Sequence, residues 1–193
     1  MNKEDICHLD DTHLVKIVQD GNDIAAFEIL VRRYQDMVYN ICFRFMGQKE
    51  EALDCSQETF IKVYENIKRF KHLSSFRTWI YRIAVNTCKN HLSSRRFRNQ
   101  QKTDYISEKM EIGSSFESPE VYFEKQRLQK IVQDAIDKLP LDQKQLIILR
   151  DIQQLSYQEI REITKLPEGT IKSKISRARE KLKELLKDIK NGM

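Results

Sequence analysis

Near the C-terminal end, Lys172, Ser173, Ser176 and Arg177 are spaced so that a helix would carry them on one face, opposite Ile171, Ile175, Ala178 and Leu182. These side chains suit contact with duplex nucleic acid. Arginine pairs bidentately with guanine, serine donates or accepts, and lysine holds a phosphate or a guanine edge. Between Thr170 and Lys183, six bases (Lys172, Lys174, Arg177, Arg179, Lys181, Lys183) stand against Glu180 alone, a local charge of +5. A charge run by itself reads as a solvated face, but a helix-turn-helix pattern precedes this one, which favours contact with DNA.

A second set lies in the N-terminal half. Arg82, Asn86, Lys89 and Asn90 recur at helical spacing, with Trp79 one turn before them. Downstream, Lys89, His91, Arg95, Arg96, Arg98 and Lys102 form a basic run with no acid between Lys89 and Lys102. Upstream, Phe70-Lys71-His72-Leu73-Ser74-Ser75 joins aromatic, basic and hydroxyl groups in one loop. Aromatic platforms flanked by cationic and amide side chains are how proteins hold unstacked single-stranded bases. Taken alone, Phe70 and Trp79 each read as core residues. A third set, Asp54, Gln57, Glu58 and Ile61, makes an acidic, partly apolar strip on a basic chain. The strip fits a protein partner, and a solvated helix face fits its spacing equally well.

Catalytic and metal chemistry find little support in the spacing, and neither catalytic nor metal-binding residues are assigned. Glu50, Asp54 and Glu58 are spaced i, i+4, i+8, but no Glu is followed three residues later by His, as a di-metal bundle needs. Asp10-x-x-His13 and Cys7-His8 lack further ligands at zinc spacing. Cys7, Cys42, Cys55 and Cys88 are scattered, with no C-x-x-C pair, and read as four reduced thiols. There is no P-loop and no G-x-S-x-G. The chain reads as a non-enzyme without cofactor or small-molecule substrate.

The elements that must position these groups are helices. Phe27, Leu30, Val31, Tyr34, Val38, Ile41, Cys42 and Phe45 follow the i, i+3, i+4, i+7 rule up to Gly47, and a shorter helix before Gly21 precedes them. Phe60, Val63, Tyr64 and Ile67 repeat the pattern, as do Phe76, Ile80, Ile83 and Ala84 after the candidate caps Ser74 and Ser75. From Asp104 to Glu120, five acids stand against Lys109 with no apolar repeat, net −4, which reads as a flexible acidic linker. Ser118-Pro119 then opens a further helix with Leu128, Ile131, Val132, Ala135 and Leu139, closed by Pro140. Leu146 to Leu149 supply the next stripe, and Ser156-Tyr157-Gln158-Glu159 is a capping-box pattern. Its helix carries Ile160, Ile163 and Leu166 and stops at Leu166-Pro167-Glu168-Gly169, a tight glycine-containing turn before the last helix, whose stripe continues through Leu185 and Ile189. The expectation is an all-α chain with two small helical domains, 1–100 and 123–193, joined by a linker over 101–122.

Composition agrees. Of 193 residues, 40% are hydrophobic and 33% charged, a globular balance, while five Gly and three Pro are too few for a fold of many short strands. No stretch reads as a membrane span and the first twenty residues lack a secretory apolar core, so a cytoplasmic location without membrane insertion is expected. The net charge, +5, is mild. Its distribution is not.

Gln57-Glu58-Thr59-Phe60, Ser75-Phe76-Arg77-Thr78-Trp79-Ile80-Tyr81-Arg82-Ile83-Ala84-Val85-Asn86 and Gly169-Thr170-Ile171-Lys172-Ser173-Lys174-Ile175-Ser176-Arg177-Ala178-Arg179 together resemble the extracytoplasmic-function sigma factors of the sigma-70 family. The resemblance spans nearly the whole chain in the family's order. It implies a transcription initiation factor for bacterial RNA polymerase. Residues 1–100 would be the region that binds core polymerase and the minus-10 element, and 123–193 the region that binds the minus-35 element. Asp54, Gln57, Glu58 and Ile61 would contact the core enzyme. Phe70 and the loop to Ser75, Ser74 included, would receive a flipped base of the non-template strand, and Trp79, Arg82, Asn86, Lys89 and Asn90 would face the minus-10 element. Lys172, Ser173, Ser176 and Arg177 would read minus-35 DNA in the major groove, and the acidic linker would thread the polymerase channel that later carries RNA. An anti-sigma factor would hold the protein inactive. The alternative is a helix-turn-helix regulator that binds duplex DNA without the polymerase.

Overall fold

A computed structural model describes residues 6–100 and 119–191, and side chains within most of that range. Every regular element among them is helical, and the chain divides into two compact units. Among the described residues no helix is long and apolar enough to cross a membrane.

The first unit begins with α1 (Asp11–Gly21), whose N-terminus is capped by the Asp10 carboxylate accepting the His13 N–H at 2.9 Å. Leu14, Val15 and Val18 are fully buried, and Asn22 at φ 51° ends the helix in the left-handed region. Next comes α2 (Ile24–Met46), stopped by Gly47 at φ 75°, a conformation that a Cβ would strain. Its core face is Ala26, Ile29, Leu30, Val38, Ile41, Cys42 and Phe45. Of the expected stripe, Phe27, Val31 and Tyr34 are only half-buried, displaced toward the rim by Ala26 and Ile29. Tyr34 instead braces α1 to α2, since its hydroxyl donates to Asp11, which also pairs with Arg33 at 2.9 Å.

The third helix, α3 (Lys49–Asn66), runs into a 3₁₀ turn at Ile67–Arg69. It buries Ala52, Cys55, Thr59 and Val63, and the Thr59 hydroxyl donates to the Cys55 carbonyl at 2.8 Å. Here the expected stripe is corrected. Tyr64 is 40% exposed because its ring lies edge-on to Phe27, centroids 4.9 Å apart, at the margin of the core. The fourth helix, α4 (Phe76–Gln100), is capped by Ser75, whose hydroxyl oxygen accepts the Thr78 N–H at 3.0 Å. It packs on α2 through Ile80, Tyr81, Ala84, Val85 and Cys88.

The second unit holds α5 (Pro119–Asp137), α6 (Leu141–Ile147), a π turn at Ile148–Ile152, α7 (Tyr157–Thr164) and α8 (Glu168–Asn191). Ile136, Leu139, Ile147 and Ala178 form its centre, extended by Ile152 and Leu182. Leu146 to Leu149 are all buried, as expected. Within α5, however, Leu128 and Val132 are exposed, while Ala135 and Ile136 near its C-terminal end reach the core. Lys144, 6% exposed, meets the Asp137 carboxylate at 2.6 Å. Residues 101–118 of the expected linker lie outside the described residues, while 119–122 already belong to α5.

Candidate nucleic-acid interface

In the second unit the turn before α8 sets which residues face outward. The Ser156 hydroxyl oxygen accepts the Glu159 N–H at 3.2 Å, and the Ser156 N–H donates to the Glu159 carboxylate at 2.8 Å, a complete capping box that fixes the start of α7. That helix ends at Lys165, which takes the left-handed conformation at φ 61°. The tight turn is therefore made by a lysine. Gly169, expected to form it, lies in the first turn of α8. The two helices pack together, with Ile160 and Ile163 of α7 and Ile171, Ile175 and Ala178 of α8 all buried, which leaves Lys172, Ser173, Ser176 and Arg177 on the exposed side.

Each of these four has a different local state. Arg177 has no ion-pair partner among the described residues and projects a free guanidinium. Lys172 pairs with Glu168 at 2.6 Å and stands 5.2 Å from the centroid of the Tyr157 ring. That pairing raises Lys172 above the ordinary lysine value and lowers Glu168 below the ordinary carboxylate value. The Ser173 hydroxyl donates to the Thr170 carbonyl at 3.0 Å. Ser176 lines a groove of about 410 Å³ with Tyr157, Lys172, Arg179 and Lys183. Arg150 also lies over the Tyr157 ring, 4.8 Å from its centroid, so two cations meet that ring. Two other bases of the run are tied down: Lys174 to Asp142 of α6, and Arg179 to Asp151 at 2.5 Å.

In the first unit the loop between the 3₁₀ turn and α4 is pinned at its base and open at its tip. The Gln19 amide of α1 donates to the carbonyls of Ile67 and Phe70 at 2.8 and 2.9 Å. Phe70 is only 6% exposed, in an aromatic cluster with Phe76 and Trp79 at 5.7 and 5.0 Å and His72 at 4.7 Å. Phe70 thus forms the floor of the loop and offers no open stacking face. Trp79 and Ser74 are half-buried, while Lys71, His72, Leu73 and Ser75 are exposed, Leu73 at 89%. His72, at φ 54°, turns the chain at the tip.

Along α4, Asn86 and Asn90 are exposed and Arg82 and Lys89 half-buried, so the expected stripe forms one continuous surface beyond Trp79. The Nε of Arg82 is buried without a hydrogen-bond partner among the described residues. Side chains of Arg95, Arg96 and Arg98 fall outside the described residues.

The strip on α3 divides. Asp54, Gln57 and Ile61 are exposed, Ile61 at 58%, and Leu53 and Tyr64 extend the apolar part of this face. Glu58 is only half-exposed and is already engaged by Lys62 at 2.5 Å and by His91 of α4. Lys62 and His91 together lower its carboxyl below the ordinary value. Gln19 and Tyr157 escape sequence reasoning because an amide and a tyrosine carry no signal until the loop and groove they serve exist.

Residues 30–98 match the family model described as Sigma-70 region 2, and residues 129–182 that described as Sigma-70, region 4. The chain is 40% identical to the "ECF RNA polymerase sigma-E factor" of Haemophilus influenzae, covering 94% of this chain and 97% of that one. It is 37% identical to the "RNA polymerase sigma-H factor" of Pseudomonas aeruginosa, covering 93% and 95%. Among solved structures it is similar to the sigma factor RpoE in complex with the anti-sigma factor NepR from Bartonella quintana, with a TM-score of 0.66 and 25% identity over 83% of this chain and 96% of that one. It shares its fold with CnrH, solved in complex with the cytosolic domain of CnrY, with a TM-score of 0.68 and 22% identity over 92% and 97%.

Proposed function

The chain belongs to the extracytoplasmic-function group of the sigma-70 family, and from that premise we infer how its surfaces divide the work of a transcription initiation factor that directs RNA polymerase to promoters. The observation that carries the reading is the exposed quartet Lys172, Ser173, Ser176 and Arg177 on the open face of α8, behind a fully capped helix-turn-helix. This face enters the major groove of the minus-35 element. Arg177 reads a base edge, Lys172 exchanges Glu168 for a phosphate, and the tethered Lys174 contributes charge only.

The first unit takes the minus-10 element as a single strand. A base leaves the stack and enters the Phe70–Ser75 loop above the floor of Phe70, with Ser74 beside it and Leu73 exposed at the rim. Trp79, Arg82, Asn86, Lys89 and Asn90 receive the strand along α4. Unstacking a base costs a few kcal/mol, so one or two captured bases suffice to bias the complex toward the melted promoter. Binding does the work, and no bond chemistry on this chain is needed.

Core polymerase docks on the exposed side of α3, through Asp54, Gln57 and Ile61, with Glu58 at its edge. Residues 101–118 join the region 2 and region 4 domains and carry most of the local negative charge through the polymerase channel. The protein acts in the cytoplasm, and an anti-sigma factor of the kind bound to the Bartonella quintana relative restrains it. Relatives named as RNA polymerase sigma factors do not favour the polymerase-independent regulator. The deciding experiment adds the purified chain to core RNA polymerase on a promoter library. Discrete start sites are expected, whereas duplex binding without any transcript would overturn the reading.

A further inference from the structure

Three cysteines that lie far apart in sequence converge in the first unit: Cys42 from α2, Cys55 from α3 and Cys88 from α4. Each is fully buried. Their sulfurs lie 3.5 Å (Cys55 to Cys88) and 3.8 Å (Cys88 to Cys42) apart, and all three fall within 4.8 Å of one another. A metal–sulfur bond of about 2.3 Å would put three trigonal sulfurs about 4.0 Å apart, so the triangle is already of the size a bound ion requires. None of the three is disulfide-bonded.

From this geometry we propose that Cys42, Cys55 and Cys88 form a three-coordinate thiolate site for a soft monovalent cation, Cu(I). The donor set selects the ion. Three sulfurs with no carboxylate exclude hard, oxygen-seeking cations. A structural zinc site calls for four ligands, and among the described residues no fourth His, Cys, Asp or Glu atom completes the cluster. Cu(I) is served by soft thiolates alone. On binding, sulfur–copper bonds replace S–H bonds and the displaced protons leave to solvent, with no change in oxidation state. Because the ligands come one from each of three helices, the ion cross-links α2, α3 and α4. It therefore acts on the elements that present the polymerase-facing strip and the Asn86 surface, and the proposal stands whether or not those roles hold. Entry requires a local opening, since no sulfur reaches solvent.

The test uses the full chain, fully reduced and anaerobic, titrated with Cu(I) against a competing Cu(I) chelator. One copper retained per chain is expected, with three sulfur neighbours by X-ray absorption and a raised melting temperature. Loss of an outer-shell partner alone weakens metal sites 10- to 100-fold, so removing a ligand in Cys88→Ser should cost at least about 100-fold in affinity. Cys7→Ser, whose cysteine is exposed and outside the triangle, should bind as the parent does. If Cys88→Ser does not fold, the sulfur count on the parent protein decides by itself. Failure to retain copper, fewer than three sulfur neighbours, or binding that depends on Cys7 would overturn the proposal.

Discussion

At the scale of single residues, the interface separates groups that are free from groups already committed. Arg177 has no ion-pair partner among the described residues, whereas Lys172 is paired with Glu168 and, in the proposed role, would have to exchange it for DNA. Arg177→Ala should therefore cost about 1–3 kcal/mol at one base pair of the minus-35 element and relax the preference there. A loss of equal size on every sequence, in a binding assay over single-substitution sites, would mark a phosphate contact instead. On α3 the same distinction separates Ile61 from Glu58. Ile61 is 58% exposed and touches little that a substitution could unsettle. Ile61→Asp is expected to leave the melting curve unchanged while weakening core polymerase binding about tenfold or more, the effect of placing a charge in a desolvated contact. An unchanged affinity in a pull-down or fluorescence titration would remove Ile61 from the docking strip.

At the scale of elements, two devices hold the faces in place. The Ser156–Glu159 box fixes the start of α7, and Ser156→Ala should lower the stability of the second unit by about 1 kcal/mol, read as an earlier unfolding transition by circular dichroism. The clamp of Glu58 on Lys62 and His91 ties α3 to α4. Lys62, then His91, hold the Glu58 carboxyl below its ordinary value of 4.5. A depressed carboxyl contributes stability that is complete above the ordinary value and vanishes as the pH falls through the lowered one. The melting-temperature advantage of the parent over Glu58→Gln should accordingly close up as the pH falls below 4.5. An advantage that survives acidification would show that the charge is not its source. These elements also mark what the residue pattern could reveal. Periodicity located every major helix, and the capping pattern at Ser156 was readable because a cap is local in sequence. It failed where tertiary packing decided. Leu128 and Val132 stayed exposed, while Ala135 and Ile136 further along α5 meet the core. The turn fell to Lys165 although a glycine stood four residues on. The three thiols were invisible for the same reason, since nothing local joins positions 42, 55 and 88.

At the scale of the whole molecule, the two proposed nucleic-acid faces on one chain would turn a pair of weak contacts into one selective contact. When one unit is bound, the other searches from a high effective concentration, which multiplies affinity about 10²- to 10⁴-fold provided that both sites are reachable together. The condition is geometric. Duplex DNA turns once in about 10 base pairs, so lengthening the spacer between the two promoter elements by about five base pairs moves the minus-35 groove to the opposite side of the helix. The four basic and hydroxyl groups of α8 and the loop above Phe70 could then not be engaged at once by a factor seated on the polymerase. We expect such a promoter to lose about 100-fold or more in initiation, while the minus-35 duplex alone binds the protein as before. Restoring a full turn, about 10 base pairs in all, should not restore initiation to the same degree, because the axial distance has grown by roughly 34 Å even though the phase is right. Full recovery at that spacing, measured by run-off transcription, would show that the joining segment reaches further than a factor measuring spacer length can allow. Undiminished activity at the half-turn spacing would mean that the two faces do not act on one promoter together.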